Sequence, residues 1–166
     1  LKLMVNLTIK ELDSSKELKL LRKFLLEQSL GYPNYEAWVE CVCIPEIEQG
    51  YKKTYLAFYY GHLVGDAIFQ PHKELSDFIE FKNLRIHPEY RGRYLGLFLA
   101  RQIEVENKKS IICDTREKDI VELLKRLDYR EIAVQNLYDS NTPDIIMMKE
   151  MGPMRFELTT SGSLKP

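Results

Sequence analysis

The chain is poor in cysteine, proline, glycine and tryptophan, and it carries almost no net charge. Its 166 residues include three cysteines, seven prolines, eight glycines and one tryptophan, with a formal net charge of −1. The near-neutral balance argues against a nucleic-acid binder that works by bulk positive charge. The sequence also shows no internal repeat and no low-complexity tract, so we expect an ordinary globular domain.

Long apolar runs are missing as well. No run approaches the roughly 20 residues that a membrane-spanning helix needs, and the first residues lack the apolar core of a signal peptide. The three cysteines, Cys41, Cys43 and Cys113, are odd in number and lack a metal-ligand spacing. We therefore expect a cytoplasmic protein with small, buried cysteines, no metal site and no contact with a membrane.

One stretch of the sequence, from Asn83 to Gly96, predicts a binding site. It reads as a strand end, a turn marked by Pro88, a basic loop that contains glycine, and a helix start. Backbone N–H groups in such a loop and in the first helical turn lack partners, and the helix dipole favours negative charge there. Arg91 and Arg93 add two permanent positive charges. The stretch therefore predicts a ligand that carries phosphate.

Other interpretations of this loop fit less well. A dinucleotide-binding loop would need G-x-G-x-x-G after the first strand, and only Gly92 and Gly96 are present here. A P-loop is excluded because Gly-Lys-Ser/Thr is absent. A plain helix N-terminus with solvated arginines is the remaining alternative.

The stretch resembles the acyl-CoA signature of the GNAT superfamily of N-acetyltransferases. In that family a strand running into proline is followed by Arg/Gln-x-x-Gly-x-Gly/Ala at a helix N-terminus. Arg91 and Gly96 match the first and last positions, whereas Tyr94 stands where the family usually has glycine. The resemblance implies an α/β (α+β) fold with a mixed, mostly antiparallel, twisted sheet of about seven strands flanked by about four helices. It also implies that the sheet splays apart near its fourth and fifth strands.

The hydrophobic pattern predicts the element order β-αα-βββ-α-β-α-ββ, which is the order that the resemblance implies. The predicted strands are 5–11, 53–60, 63–70, 78–86, 110–113, 130–138 and 144–149. The predicted helices are 15–29, 35–48, 94–107 and 119–127. A hairpin turn is expected at Gly61-His62, and the apolar strand 110–113 is expected to be parallel to its neighbour. We expect one domain over residues 1–150 and a C-terminal tail, 151–166, without a functional role.

The resemblance implies acetyl-CoA as the co-substrate and an amine as the acceptor. The phosphate-binding residues that it implies are Arg91, Gly92, Arg93, Tyr94, Leu95 and Gly96. Main-chain groups of Leu84 and Ile86 would bind the thioester and the pantetheine amides. The acceptor stays open among a protein N-terminus, a lysine, a small amine and an amino acid, and a homodimer also stays open. The aromatic residues that could line the acceptor site, or pack the helices onto the sheet, are Tyr32, Tyr35, Trp38 and Tyr138.

Attack on a thioester requires a neutral amine, so a general base is useful. Glu80 is the candidate base, because several family members place a glutamate in the fourth strand. Two-residue alternation predicts that Glu80 shares a strand face with Leu84 and Ile86, close to an apolar cleft. An ion pair with Lys82 would be its purely structural role. The other candidates are Asp77 and the turn histidines His62, His72 and His87.

The sequence departs from the family at the catalytic acid. Many members carry a tyrosine in Leu-Tyr-x-x-x-Gly-Phe after the fifth strand, and Leu124 occupies that position here. A thiol can leave as a thiolate near neutral pH, so the missing acid lowers the rate without preventing reaction. Tyr138 could act as the acid instead.

We interpret the chain as an N-acetyltransferase; the alternatives are a non-catalytic acyl-CoA-binding sensor and a dimeric interaction protein that binds no CoA.

Overall fold

The structure is a computed structural model, and it describes residues 6–28, 32–138 and 141–151. The strands are β1 (Leu7–Glu11), β2 (Lys53–Tyr59), β3 (His62–Pro71), β4 (Phe78–Ile86), β5 (Ser110–Thr115), β6 (Arg130–Gln135) and β7 (Asp144–Lys149). The helices are α1 (Ser15–Glu27), α2 (Tyr35–Trp38), α3 (Ile44–Glu48), α4 (Leu95–Asn107) and α5 (Lys118–Arg126). The predicted element order is confirmed. The predicted strand residue Val5, the helix end at Ser29 and the tail beyond Met151 lie outside the described residues.

The strands form one seven-stranded sheet in the order β1-β2-β3-β4-β5-β7-β6. Strand β4 pairs with β5 in parallel, and every other neighbouring pair is antiparallel. The parallel pairing predicted for the apolar strand at Ser110 is therefore confirmed, although β5 extends two residues further, to Thr115. The mixed, mostly antiparallel sheet agrees with the predicted fold class.

Helices cover both faces of the sheet. On one face α4 and α5 pack Leu99, Ile103 and Leu124 into the larger hydrophobic core. On the other face α1 and the helical residues 35–48 form a second core around Leu21 and Val39. The two cores enclose the strands that carry the candidate site, because apolar burial on both faces stabilises the centre of the sheet.

Local sequence signals explain where α1 begins. Ser14 Oγ accepts a hydrogen bond from the N–H of Glu17 at 3.2 Å, and Glu17 Oε1 accepts one from the N–H of Asp13 at 3.1 Å. The first bond satisfies a backbone donor that the first helical turn leaves without a partner, and the second ties Asp13, just before the cap, to the helix. The sequence allows Asp13, Ser14 or Ser15 to cap this helix, and the structure places the cap at Ser14.

The segment 35–48 is helical throughout, but it is not a regular α-helix. Between α2 and α3 the turn widens to a π-helical turn at Val39–Cys43. Pro45 lies in the first turn of α3, where a residue without an N–H is tolerated. The helical segment therefore continues past Pro45 to the predicted end at Glu48.

The hairpin between β2 and β3 turns one residue earlier than predicted. Tyr59 pairs with His62, so Tyr60 and Gly61 form the two-residue turn. Both have positive φ, 50° and 78°, as a type I′ turn requires.

Of the helices in the described part of the chain, none is long and apolar enough to cross a membrane.

Candidate functional site

The sheet splits between β4 and β5. Their parallel register runs from Phe78 opposite Ser110 to Phe81 opposite Cys113, and then the two strands separate. Past this point the carbonyl of Leu84 accepts a hydrogen bond from Arg85 Nη1 at 2.9 Å. Because β5 no longer pairs with β4 beyond Phe81, main-chain groups on that edge of β4 are available to other partners.

A cavity of about 550 Å³ lies at the split. Its walls come from β4, β5 and α5, from residues 32–42 on the helical side, and from Tyr138. The aromatic residues among its walls are Tyr32, Tyr35, Trp38, Phe81 and Tyr138. A largely apolar cleft with a few polar groups is the usual form of a ligand site.

The basic loop is held against the open end of β4. Pro88–Tyr90 forms one 3₁₀ turn, and Arg91 Nε donates to the carbonyl of Ile86 at 3.0 Å. Gly92 then has a φ of +75°, a conformation that glycine adopts readily and other residues adopt rarely. The chain thereby reverses into α4 within a few residues of the end of β4.

The N-terminus of α4 is available to an anion. Its N-cap residue, Tyr94, has a φ of +65° and makes no side-chain capping bond, and the first turn contains no acidic residue. The Tyr94 side chain is 60% exposed. Unpaired N–H groups and the helix dipole make such a terminus attractive to phosphate.

Gly96 serves close packing between helices. A β-carbon at Gly96 would lie 2.5 Å from Leu123 Cδ1 of α5. The absence of a side chain therefore lets the start of α4 approach α5 beside the split. The sequence singled out Gly96 as a ligand-binding residue, and the structure gives it a packing role as well.

Solved structures share this architecture. An acetyltransferase of the GNAT family from Desulfovibrio desulfuricans superposes with a TM-score of 0.76 at 13% identity, covering 88% of this chain and 99% of that one. An aminoglycoside 6′-N-acetyltransferase complexed with coenzyme A gives 0.71 at 19% identity, covering 88% and 98%. Arabidopsis thaliana Naa50 with a bisubstrate analogue, CoA-Ac-MVNAL, gives 0.66 at 18% identity, covering 89% and 100%. Neither protein-family models nor curated proteins match the sequence.

The chain has the GNAT fold. The match covers nearly the full length of each of the three solved structures, so the similarity extends over the whole sheet and its helices. The fold predicted from the basic loop and the element order is confirmed.

In this GNAT fold the candidate base Glu80 does not line the cavity. Ile68 pairs with Asn83 and Phe69 with Phe81, so Lys82 is an extra residue, a β-bulge. The bulge reverses the alternation of side chains along β4. The expectation that Glu80 shares a face with Leu84 and Ile86 was therefore wrong.

Glu80 instead belongs to a polar cluster at the start of β4. Its carboxylate lies 3.3 Å from Lys82 Nζ and 3.7 Å from His72 Nε2, and Gln70 Nε2 donates to it at 3.5 Å. The ion pair with Lys82, which the sequence offered as the purely structural role, is present. Whether Glu80 also acts as a base stays a prediction.

The remaining sequence candidates for the base have positions at turns. His72 Nδ1 accepts from the N–H groups of Glu74 and Leu75, and His87 Nδ1 accepts from the N–H of Glu89. Both imidazoles thus cap turns. None of Asp77, His62, His72 and His87 is among the cavity-lining residues of the described chain.

Tyr138 lines the cavity, and it contacts Asp114, a residue that the sequence did not single out. Its hydroxyl donates a hydrogen bond to Asp114 Oδ2 at 2.8 Å. Tyr138 lies in the loop after β6 rather than at the end of that strand. Asp114 could have been found from its place directly after the apolar segment Ser110–Cys113, because ligand sites collect where parallel strands end.

Leu124, which the resemblance aligns with a catalytic tyrosine, is 1% exposed. Its side chain joins the larger core and also contributes to the cavity wall. Cys113 lies across the split, and burial raises the pKa of its thiol to about 12. Neither residue is placed to exchange protons near neutral pH.

A buried polar cluster lies under the cavity. Asp66 on β3 is completely buried and accepts a hydrogen bond from Asn83 Nδ2 at 2.8 Å. Arg85, whose side chain is 9% exposed, lies 3.4 Å from Glu117 Oε1, on the segment that follows β5. The Arg85–Glu117 pair therefore bridges the two sides of the split. Burial raises the pKa of the Asp66 carboxyl to about 7, while the Asn83 hydrogen bond and the charge of Arg85 lower it.

Asp66 gives the fold a pH dependence that Asp66→Asn is expected to remove. An unfolded aspartate has a pKa of about 3.9, so between that value and about 7 the folded state holds a proton that the unfolded state releases. The stability from this group is fully present below the unfolded pKa and is lost as pH rises through the folded pKa. The free energy of unfolding should fall by roughly 4 kcal/mol over this range.

Urea unfolding at several pH values measures the effect. Because all other titrating groups are common to both proteins, the difference between parent and Asp66→Asn isolates Asp66. We expect the variant to gain stability relative to the parent as pH rises from 4 to 8. Parallel pH profiles of the two proteins would contradict a protonated Asp66 in the folded state.

Proposed function

We propose that the protein is an N-acetyltransferase that transfers an acetyl group from acetyl-CoA to an amine. The observation that carries the proposal is the meeting of two features at one end of β4. The sheet opens into a cavity past Phe81, and the next helix begins, uncapped, after a loop with two arginines. Acetyl-CoA, when bound, would supply an acetyl group already activated as a thioester.

The residues present fit such a ligand. Arg91, Gly92, Arg93 and the first N–H groups of α4 would hold the phosphates, because they combine positive charge with free donors. The carbonyl of Ile86 accepts from Arg91, so the loop and the open strand edge are already tied together. Leu84 and Ile86 would present main-chain groups to amides of the ligand, in place of the β5 partner that they lack.

Two structures with the same fold support this proposal through what they contain. The aminoglycoside 6′-N-acetyltransferase is complexed with coenzyme A, and Naa50 carries an analogue that joins CoA to an acetylated peptide. Their acceptors are chemically different, so the common fold supports use of CoA and leaves the acceptor to the residues around the cavity.

A non-catalytic acyl-CoA-binding sensor is the second candidate. The observation that favours it is Leu124, an apolar side chain in the place of the family's acid. A thiol of ordinary pKa near 8.5 can still leave as a thiolate, so the missing acid does not exclude turnover. We therefore favour the N-acetyltransferase over the sensor.

Release of free thiol from acetyl-CoA in the presence of a panel of amines tests the proposal. The panel contains apolar monoamines, amino acids, a polyamine and peptides with free N-termini. We expect at least one of these amines to raise thiol release well above the amine-free rate, with an equal amount of acetylated amine found by mass spectrometry. Acetyl-CoA binding without turnover of any amine would favour the sensor, and no binding would overturn both candidates.

A further inference from the structure

Three charged side chains line the cavity, and only one is an acid. They are Lys82, Arg85 and Asp114, so Asp114 supplies the single carboxylate among the described lining residues. Arg85 lies 3.4 Å from Glu117, and Lys82 lies 3.3 Å from Glu80. Both cations of the wall are thus paired with carboxylates that are not part of the wall.

Asp114 has no such pairing. In the described part of the chain no ion pair includes Asp114, and its hydrogen-bonding side-chain partner is the Tyr138 hydroxyl, at 2.8 Å. Burial, and next the negative charge of Asp114, raise the pKa of Tyr138, so its phenol stays a proton donor at neutral pH. Tyr138 occupies Oδ2 and leaves Oδ1 to accept a hydrogen bond from a ligand.

The position of Asp114 fits a role in the reaction. The last pair between the diverging strands is Phe81 with Cys113, so Asp114 is the first residue of β5 beyond the pairing. Cys113 joins the core under α4 and α5, and alternation turns Asp114 to the opposite face of the sheet. That is the face covered by the helical residues 35–48, which form the other wall of the cavity.

The remaining wall is mainly apolar and aromatic, with Asn34, Asn83 and Thr115 as uncharged polar residues. Tyr32 and Tyr138 meet edge to face with their ring centroids 5.7 Å apart, and Trp38 lies among the same lining residues. Beside these rings, Arg116 lies 4.2 Å from the Tyr32 ring centroid and 3.7 Å from the buried Asp144. A molecule with several positive charges would therefore meet three cations, Lys82, Arg85 and Arg116, near the one carboxylate of the wall. An amine with a single charge and an apolar body would bury its carbon atoms against the rings and need only one counter-charge.

We propose that the acceptor is an apolar monoamine, and that Asp114, positioned by Tyr138, binds its ammonium group and takes up one of its protons. The proposal rests on the proposed acetyl transfer. Asp114 would accept one proton from the ammonium group, which frees the nitrogen lone pair to form the C–N bond as the C–S bond breaks. The nitrogen then loses a second proton to the departing thiolate, giving the amide and CoA thiol, and Asp114 returns its proton to solvent.

The experiment compares Asp114→Asn with the parent, using phenethylamine as the apolar monoamine and spermidine as the polyamine. Asparagine keeps an oxygen for the Tyr138 hydrogen bond but removes the charge and the proton acceptor. We expect kcat/KM for phenethylamine to fall about 100-fold, with the rise of rate with pH shifted upward, as for a lost general base. Acetyl-CoA affinity from isothermal titration should change by less than about twofold.

Two further variants make the outcome specific. Tyr138→Phe should lower kcat/KM in the same direction by about tenfold, as expected when a positioning hydrogen bond is lost. Asp128→Asn, at an exposed aspartate in the turn after α5 that does not line the cavity, should match the parent. The parent should prefer phenethylamine over spermidine by at least about tenfold in kcat/KM.

Other results would overturn either this inference alone or the proposed function with it. Full activity in Asp114→Asn, a loss found instead in Glu80→Gln, or a preference for spermidine would overturn the inference while leaving acetyl transfer intact. Absence of acetyl-CoA binding by the parent, or of turnover on any amine, would overturn the proposed function and this inference with it. A folded Asp114→Asn protein that no longer binds acetyl-CoA would also contradict a role confined to the acceptor.

Discussion

Gly92→Asp is expected to weaken acetyl-CoA binding about 100-fold, equivalent to roughly 3 kcal/mol. The backbone of Gly92 has a φ of +75°, which an aspartate adopts only with strain. The substitution also brings a carboxylate into the loop whose arginines and N–H groups would hold phosphate, and like charges repel. Isothermal titration of acetyl-CoA measures the change.

The chain offers a matched control at Gly50. Gly50 has a φ of +82°, and a β-carbon at either glycine would meet no atom within 4 Å. Gly50→Asp therefore imposes the same kind of backbone strain and the same charge, but in the turn after α3. We expect both variants to lose similar thermal stability and only Gly92→Asp to lose affinity. Equal affinity in the two variants would remove the loop from the ligand site.

Gly65→Ala is expected to lower the free energy of unfolding by about 2 kcal/mol. A β-carbon there would lie 2.9 Å from Ile86 Cδ1, 3.1 Å from the carbonyl oxygen of Arg85 and 3.2 Å from Leu99 Cδ1. The carbonyl belongs to the backbone of β4 and cannot rotate away. Alanine gains up to about 1 kcal/mol from reduced backbone freedom in the unfolded chain, which is less than the cost of overpacking.

A double-mutant cycle with Ile86→Val tests this explanation. Valine lacks the Cδ1 atom that the new β-carbon would meet first. Alone, Ile86→Val should cost about 1 kcal/mol, and in the Gly65→Ala background it should cost much less. Additive losses in urea unfolding would show that the contact with Ile86 is not the source of the destabilisation.

The fold could be predicted from the sequence because its signals are local. The alternating apolar residues of the first strand, the serine before the first helix and the apolar strand 110–113 each specify one element. The sequence of the loop from Arg91 to Gly96 carries the family resemblance, and that resemblance implies the same order of elements. Element boundaries moved by one to several residues, as at β6, where pairing with β7 ends at Gln135.

The catalytic side of the site could not be predicted in the same way. The face of Glu80 depends on the bulge at Lys82, and a bulge is a property of how β4 pairs with β3 rather than of β4 alone. Asp114 and Tyr138 are 24 residues apart in the sequence, and only the packing of the β6–β7 loop against β5 brings them together. Such long-range contacts leave no periodic signal in the sequence.

The structure also gives packing roles to residues that the sequence predicts to bind the ligand. Gly96 allows α4 to pack closely against Leu123 of α5. Arg91 holds the loop to Ile86 through Nε, so its guanidinium has a structural bond in addition to the expected charge. Both residues connect the proposed phosphate-binding loop to the rest of the fold, so substitutions at either would change packing as well as binding.

The most direct test is a titration with acetyl-CoA followed by amide NMR spectra of the protein. If the ligand lies along the open edge of β4 with its phosphates at α4, the largest shift changes will fall on residues 82–86, 91–96 and 113–115. Changes that spare these segments, or that cluster on the far strands β1 and β6, would contradict a binding site at the split of the sheet.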